Sequence, residues 1–257
     1  MNKSQLQPKL VFDYFAEINK IPRPSGKEEQ MMAYLEDFGR KHGLETSRDE
    51  TGNILIRKPA TPGYEDRKTT VLQSHMDMVC EKVAGLDFDF QRDPIQTEID
   101  GEWMKAKGTT LGADDGIGDA MALAILADST VEHGPVECLF TRSEETSLAG
   151  AFGLSPTLLK GDYLINLDSE DEGQIFISCA GGANTRAYFD LLYEAAPADA
   201  FFFKMQVKGL VGGHSGDDIN KMRANANILL MRLLNRFIDH FGLRIADIQS
   251  GGDRSGQ

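Results

Sequence analysis

Four short clusters of histidine and carboxylate residues, each at or beside the end of an apolar run, could do chemistry in this sequence. They are Ser74-His75-Met76-Asp77-Met78-Val79, Leu111-Gly112-Ala113-Asp114-Asp115-Gly116, Ser143-Glu144-Glu145-Thr146 and Asn166-Leu167-Asp168-Ser169. One imidazole, several carboxylates and a vicinal glutamate pair are what a two-metal hydrolase needs. Nitrogen and oxygen donors suit Zn, Mn or Co, and one bridging carboxylate can hold two ions close together. His75 and Asp77 lie two apart, so on an extended segment they share a face and the carboxylate can orient the imidazole. Glu144 and Glu145 follow an apolar run, where two adjacent carboxylates are costly unless a cation holds them. One can ligate while its neighbour, made more basic by the other charge, takes a proton from water. Each cluster also has a plainer reading: a polar strand end at His75, a helix N-cap at Asp114 or Asp115, a solvated loop at the glutamates, a turn at Asp168. Asp171 and Glu172 read as solvated. The order of the clusters, each at a strand end, is stronger than any one of them.

The elements that must position these groups are legible from periodicity. Val11, Tyr14, Phe15 and Ile18 repeat at helical spacing, and Ser25-Gly26-Lys27-Glu28 reads as a capping box opening a second helix through Leu35 and Phe38. Residues 53–56, 69–73, 136–140 and 163–167 read as strands, and a helix follows Asp115-Gly116 through Met121 and Leu126. Alternating strands and helices predict an α/β fold, a mixed and largely parallel sheet flanked by helices. Ligands in such sheets bind beyond the carboxyl ends of strands, where the clusters fall. After Asp168 the texture changes. Ser178-Cys179-Ala180-Gly181-Gly182 reads as a small-residue hinge, residues 185–192 and 201–207 as β-like runs, and residues 223–237 as a long helix. We place a domain boundary near residue 182, with 1–182 a catalytic domain and 183–257 the start of a second, α+β domain.

Composition narrows the partners. Against 27 basic residues stand 40 acidic ones, a net charge of −13, which argues against nucleic acid and anionic membrane. The three cysteines, Cys80, Cys138 and Cys179, form neither a disulfide framework nor a CxxC site, and a reducing cytoplasm suits them. Residues 1–9 are polar, and no apolar run reaches the length of a membrane span.

Longer strings carry a resemblance. Ile21-Pro22-Arg23-Pro24-Ser25, Ser74-His75-Met76-Asp77-Met78-Val79-Cys80, Gly108-Thr109-Thr110-Leu111-Gly112-Ala113-Asp114, Ser178-Cys179-Ala180-Gly181-Gly182 and Gly209-Leu210-Val211-Gly212-Gly213-His214-Ser215-Gly216 resemble the Xaa-His dipeptidase branch of the M20 metallopeptidase family. The resemblance runs over residues 10–249. It implies a zinc-peptidase-like catalytic domain and a lid and dimerisation domain, incomplete here. It implies two divalent ions, zinc first with manganese or cobalt as alternatives. His75 and Asp168 would ligate one ion, Asp114 would bridge both, and Glu145 would ligate the second. Asp77 would be the acid beside the histidine ligand and Glu144 the general base. His214 would reach the substrate carbonyl from the second domain, often across a homodimer, and Asp115 stands where this branch often carries Asn.

The implied activity is metal-dependent hydrolysis of Xaa-His dipeptides in the cytoplasm, by a water bridging two ions. The alternatives are an amidohydrolase of N-acyl amino acids and a truncated, non-catalytic fragment of the dipeptidase. The resemblance places a further histidine ligand and the closing strands of the catalytic sheet beyond position 257. The chain alone is therefore expected to be inactive, to bind at most one ion tightly and to associate through uncovered apolar faces.

Overall fold

The computed structural model describes residues 6–169, 173–179, 181, 185–212, 218 and 220–250. His214 with Gly213, Ser215 and Gly216 of its loop, Asp171, Glu172, and Ala180 and Gly182 of the expected hinge lie outside the described residues. Packing divides the chain into two compact units, Met1–Glu172 and Gly173–Gln257.

The first unit opens with α1 (Lys9–Ile18) and α2 (Glu29–Lys41), which bury Phe15 and Ile18, and Met31, Met32, Leu35 and Phe38. These apolar positions recur at helical spacing, so burial of one face stabilises helices too short to persist alone. Then come β1 (Glu45–Arg48), β2 (Ile54–Lys58), β3 (Thr70–His75), the hairpin strands β4 (Thr97–Asp100) and β5 (Trp103–Ala106), and α3 (Ala113–Ala127). Strand β6 (Val136–Thr141), short helices α4 (Glu144–Ser147) and α5 (Ala149–Gly153), and β7 (Tyr163–Asn166) complete it.

The main sheet has the order β1-β2-β6-β3-β7. Strand β6 runs antiparallel to β2 and parallel to β3, and β7 runs parallel to β3. Side chains alternate across it. Ile54, Ile56, Leu72, Cys138 and Phe140 join the core formed with α1, α2 and α3, while Leu55, Val71 and Leu139 pack against Leu154, Leu158 and Leu159. Register then decides the site. His75 pairs with Thr141 and Gln73 with Asn166, so β3, β6 and β7 end at the same edge of the sheet. Whatever follows each strand must converge there.

Three elements differ from expectation. Strand β1, of sequence Glu-Thr-Ser-Arg, and the hairpin β4–β5 carry little apolar alternation; they exist because a partner strand completes their ladders. The capping box at Ser25–Glu28 is not formed. Helix α2 has Glu28 as N-cap with no side-chain cap, because the Ser25 and Glu28 side chains bond elsewhere. In the second unit the runs 185–192 and 201–207 contain no strand among the described residues, since extended chain without a neighbouring strand makes no ladder.

The long helix there, α6 (Ala226–Phe241), starts three residues later than the apolar pattern suggests. The Asn225 side chain accepts the Ile228 N–H as N-cap, and Gly242, at φ 63°, ends the helix. No helix among the described residues is long and apolar enough to cross a membrane.

Gly112 illustrates how closely the loops pack. It has φ 68°, and a Cβ there would lie 2.5 Å from Arg23 Nη2 and 2.8 Å from Met78 Sδ. Gly112→Ala is expected to cost on the order of 2 kcal/mol in urea unfolding, from left-handed backbone and overlap with buried atoms together. A midpoint equal to that of the parent would show that this approach is not needed.

Candidate active site

Four turns meet at the common edge of β3, β6 and β7. His75 ends β3 and is 1% exposed, so its ring is held by packing. Its Nε2 lies 2.9 Å from Asp114 Oδ1 and 3.9 Å from Asp168 Oδ2, and its Nδ1 faces Asp77 Oδ1 at 3.4 Å. Burial pushes the imidazole down, but Asp114, Asp77 and Asp168 outweigh it and lift it to about 12.

Asp77 is fully buried and serves as the hub. Its Oδ1 accepts the Glu144 N–H at 3.0 Å, and its Oδ2 accepts the Ser25 hydroxyl at 2.6 Å and the Glu145 N–H at 3.3 Å. Burial alone would raise this carboxyl; His75, Ser25 and the Glu144 amide hold it below the usual range. One carboxylate thus orients the imidazole and anchors the start of α4.

The two neighbouring aspartates part company. The backbone of Asp114 and Asp115 is non-helical although both lie within α3. Asp114 is exposed and reaches His75, whereas Asp115 is 2% exposed and accepts the His75 N–H through Oδ2. Burial and the charge of Asp119 raise Asp115 to about 8. Asp119, also buried and bonded by the Ser74 hydroxyl at 2.7 Å, is raised by burial to about 7. Beneath both lies Arg23, 1% exposed. Its guanidinium donates to the carbonyls of Asp77 at 2.9 Å and Gly112 at 2.5 Å, and weakly to that of Met76 at 3.4 Å. It ties the histidine turn to the aspartate turn.

Glu144 and Glu145 begin α4 after Ser143, whose φ of 52° swings the chain out of β6. Burial pushes both glutamates up, with Asp114 also acting on Glu145, which reaches about 7. Glu145 Oε1 is buried with no hydrogen-bond partner. Ligand atoms of His75, Asp114 and Asp168 all lie within 4.8 Å of one another, and so do those of His75, Glu144 and Glu145. An imidazole, crowded carboxylates with raised proton affinity and an orphaned buried oxygen fit divalent cations, which would neutralise the repulsion.

All the site residues expected in this unit therefore meet: His75, Asp77, Asp114, Glu144, Glu145 and Asp168. Sequence reasoning gave no holding role to Ser25, Glu28, Asp115, Asp119, Ser143 or Arg23, although it named several of them in other contexts. No spacing rule links these residues to the clusters, because their bonds join turns distant in sequence. The remaining described histidines lie in local contacts: His42 stacks on Phe38, and Nδ1 of His133 and of His240 bond the carbonyls of Gly134 and Arg236.

A mixed α/β sheet that gathers one histidine and several carboxylates beyond its parallel strand ends has the architecture of a metallopeptidase catalytic unit. The chain belongs to peptidase family M20/M25/M40, which it matches over residues 71–221. The cytosol non-specific dipeptidase of Escherichia coli (strain K12) is 51% identical over 248 residues, covering 96% of this chain and 51% of that protein. Among solved structures, the aminoacylhistidine dipeptidase from Vibrio alginolyticus aligns at TM-score 0.69 and 42% identity, over 100% of this chain and 52% of that one. The aminopeptidase PepT from Bacillus cereus aligns at TM-score 0.53 and 25% identity, over 66% and 44%. The chain spans about half the length of the relatives it matches.

Proposed function

We propose that the intact protein is a cytoplasmic metallodipeptidase acting on dipeptides of the Xaa-His type. The observation that carries this reading is the convergence of His75, Asp114 and Asp168, with Glu144 and Glu145 alongside, at one edge of the sheet. The dipeptidase activities of the Escherichia coli and Vibrio alginolyticus relatives support a small-peptide substrate. His75, Asp114 and Asp168 would hold one divalent ion and Asp114 and Glu145 a second, with zinc the first choice and manganese or cobalt accepted by the same donors. When bound, the ions supply Lewis acidity at the scissile carbonyl and make the attacking water a stronger acid.

The chain's own groups do the rest. Glu144, made more basic by burial, takes the proton of the attacking water and delivers it to the leaving amine. Asp77 keeps the His75 ring in place through its contact with Nδ1. His214 donates an imidazole N–H to the developing oxyanion. Residues 1–182 form the catalytic portion, and residues 183–257 begin a domain that closes over small substrates and pairs two copies as a homodimer.

The test is a panel assay of the intact protein on Xaa-His dipeptides, other dipeptides and N-acyl amino acids. Hydrolysis of dipeptides is expected, led by the Xaa-His members, and removal of divalent ions by a chelator should abolish it until zinc is restored. Turnover of N-acyl amino acids alone would replace this reading with an amidohydrolase. Activity that survives exhaustive chelation would remove the metal centre from it.

A further inference from the structure

Glu28 is 0% exposed and stands at the N-terminus of α2. A buried carboxylate is costly unless its oxygens are satisfied by hydrogen bonds. Here three of the four bonds lead to the turn that carries the glutamate pair. Glu28 Oε1 accepts the Ser143 N–H at 3.0 Å, the Ser143 hydroxyl at 2.7 Å and the Gly26 N–H at 2.9 Å. Its Oε2 accepts Arg142 Nε at 3.0 Å. Ser143 is the residue whose left-handed φ of 52° turns the chain from β6 into Glu144 and Glu145. A non-glycine residue holds that conformation only when its surroundings over-determine it. Three residues earlier, the Ser25 hydroxyl bonds Asp77, which takes the Glu144 and Glu145 amides.

We propose that Glu28 is a positioning residue: by clamping Ser143 and Arg142 it sets the Glu144–Glu145 pair against His75. The segment 25–28, which reads locally as a helix cap, is thus a strap across the site, with Ser25 fastened to the histidine turn and Glu28 to the glutamate turn. Its value for ion binding rests on the function proposed above; the clamp itself does not.

Glu137 supplies the control. It is 2% exposed and similarly satisfied, by Arg57 Nε at 2.8 Å and the N–H groups of Lys160 and Gly161 at 2.8 and 3.1 Å. It sits near the start of β6, at the opposite end of the strand from the glutamate pair. The experiment compares Glu28→Gln with Glu137→Gln in the intact protein. It reads thermal unfolding, zinc binding by calorimetry, and amide hydrogen exchange at Glu144 and Glu145, whose N–H groups bond Asp77 and not Glu28.

Both variants should melt at lower temperature. Only Glu28→Gln should speed exchange at those two amides by about 10-fold or more and weaken zinc by about 10–100-fold, the usual effect of losing a partner that orients a ligand. If Glu28→Gln does not fold, Ser143→Ala removes one bond of the same clamp and should shift both readouts in the same direction by less. A lower melting temperature with exchange and zinc binding unchanged overturns the proposal. A parent chain that binds no zinc, with the exchange contrast intact, overturns the metal centre and leaves the clamp standing.

Discussion

Glu144→Gln in the intact protein is expected to lower kcat by about 10²–10⁴-fold, the usual scale for a lost general base, with divalent-ion content per chain unchanged. Gln has the shape of Glu without its proton affinity, so the substitution removes the chemical step and little else. The backbone argues for that selectivity. The Glu144 N–H bonds Asp77 whatever side chain it carries. The ligand atoms of both glutamates lie close to His75, so distance alone does not assign the roles. Two differences favour Glu145 as ligand: its Oε1 is buried without a hydrogen-bond partner, and Asp114 is the foremost charge acting on it. Metal analysis and steady-state kinetics on the same preparation decide the matter. Ions lost together with activity would exchange the two assignments.

Arg23→Leu should destabilise the first unit by about 3–5 kcal/mol in urea unfolding, the range for breaking a buried charge network from one side. Leu fills part of the volume but leaves the Asp77 and Gly112 carbonyls without their donor and the buried Asp115 and Asp119 without their cation. Burial pulls the guanidinium pKa down, while Asp119 and Asp77 hold it up. Arg23→Lys should recover only part of the loss, since a single ammonium cannot present donors to turns on two sides as a planar fork does. An unfolding midpoint at the parent value in Arg23→Leu would show that other contacts hold the two turns together.

These expectations divide by how they could be reached. Periodicity alone determined the inner strands and helices α1, α2 and α3 of the first unit, but not the short α4 and α5, because burial of one face imposes a repeat on sequence: two residues for β2 and β3, three to four for α1 and α2. It also determined that His75, Asp77, the glutamate pair and Asp168 stand near strand ends, because apolar runs stop where the chain leaves the core; the aspartate pair, expected at a strand end too, instead opens α3. Strand β1 and the β4–β5 hairpin were not legible, since their stability resides in partner strands rather than in their own residues. The Ser25–Glu28 segment was misread for a related reason. A local rule pairs a serine with a glutamate three residues on, and here long-range bonds to Asp77 and Ser143 take both side chains.

The resemblance favoured Asp114 over Asp115, but residue type and spacing do not separate them, and only the tertiary structure supplies the physical reason. Asp114 and Asp115 are the same residue type one position apart, and a non-helical turn sends the first to the His75 ring and the second to the His75 backbone. It alone also placed a fully buried arginine beneath them. A charge is stable there because three carboxylates and three carbonyls, distant in sequence, come within reach only when β3 and α3 are packed together.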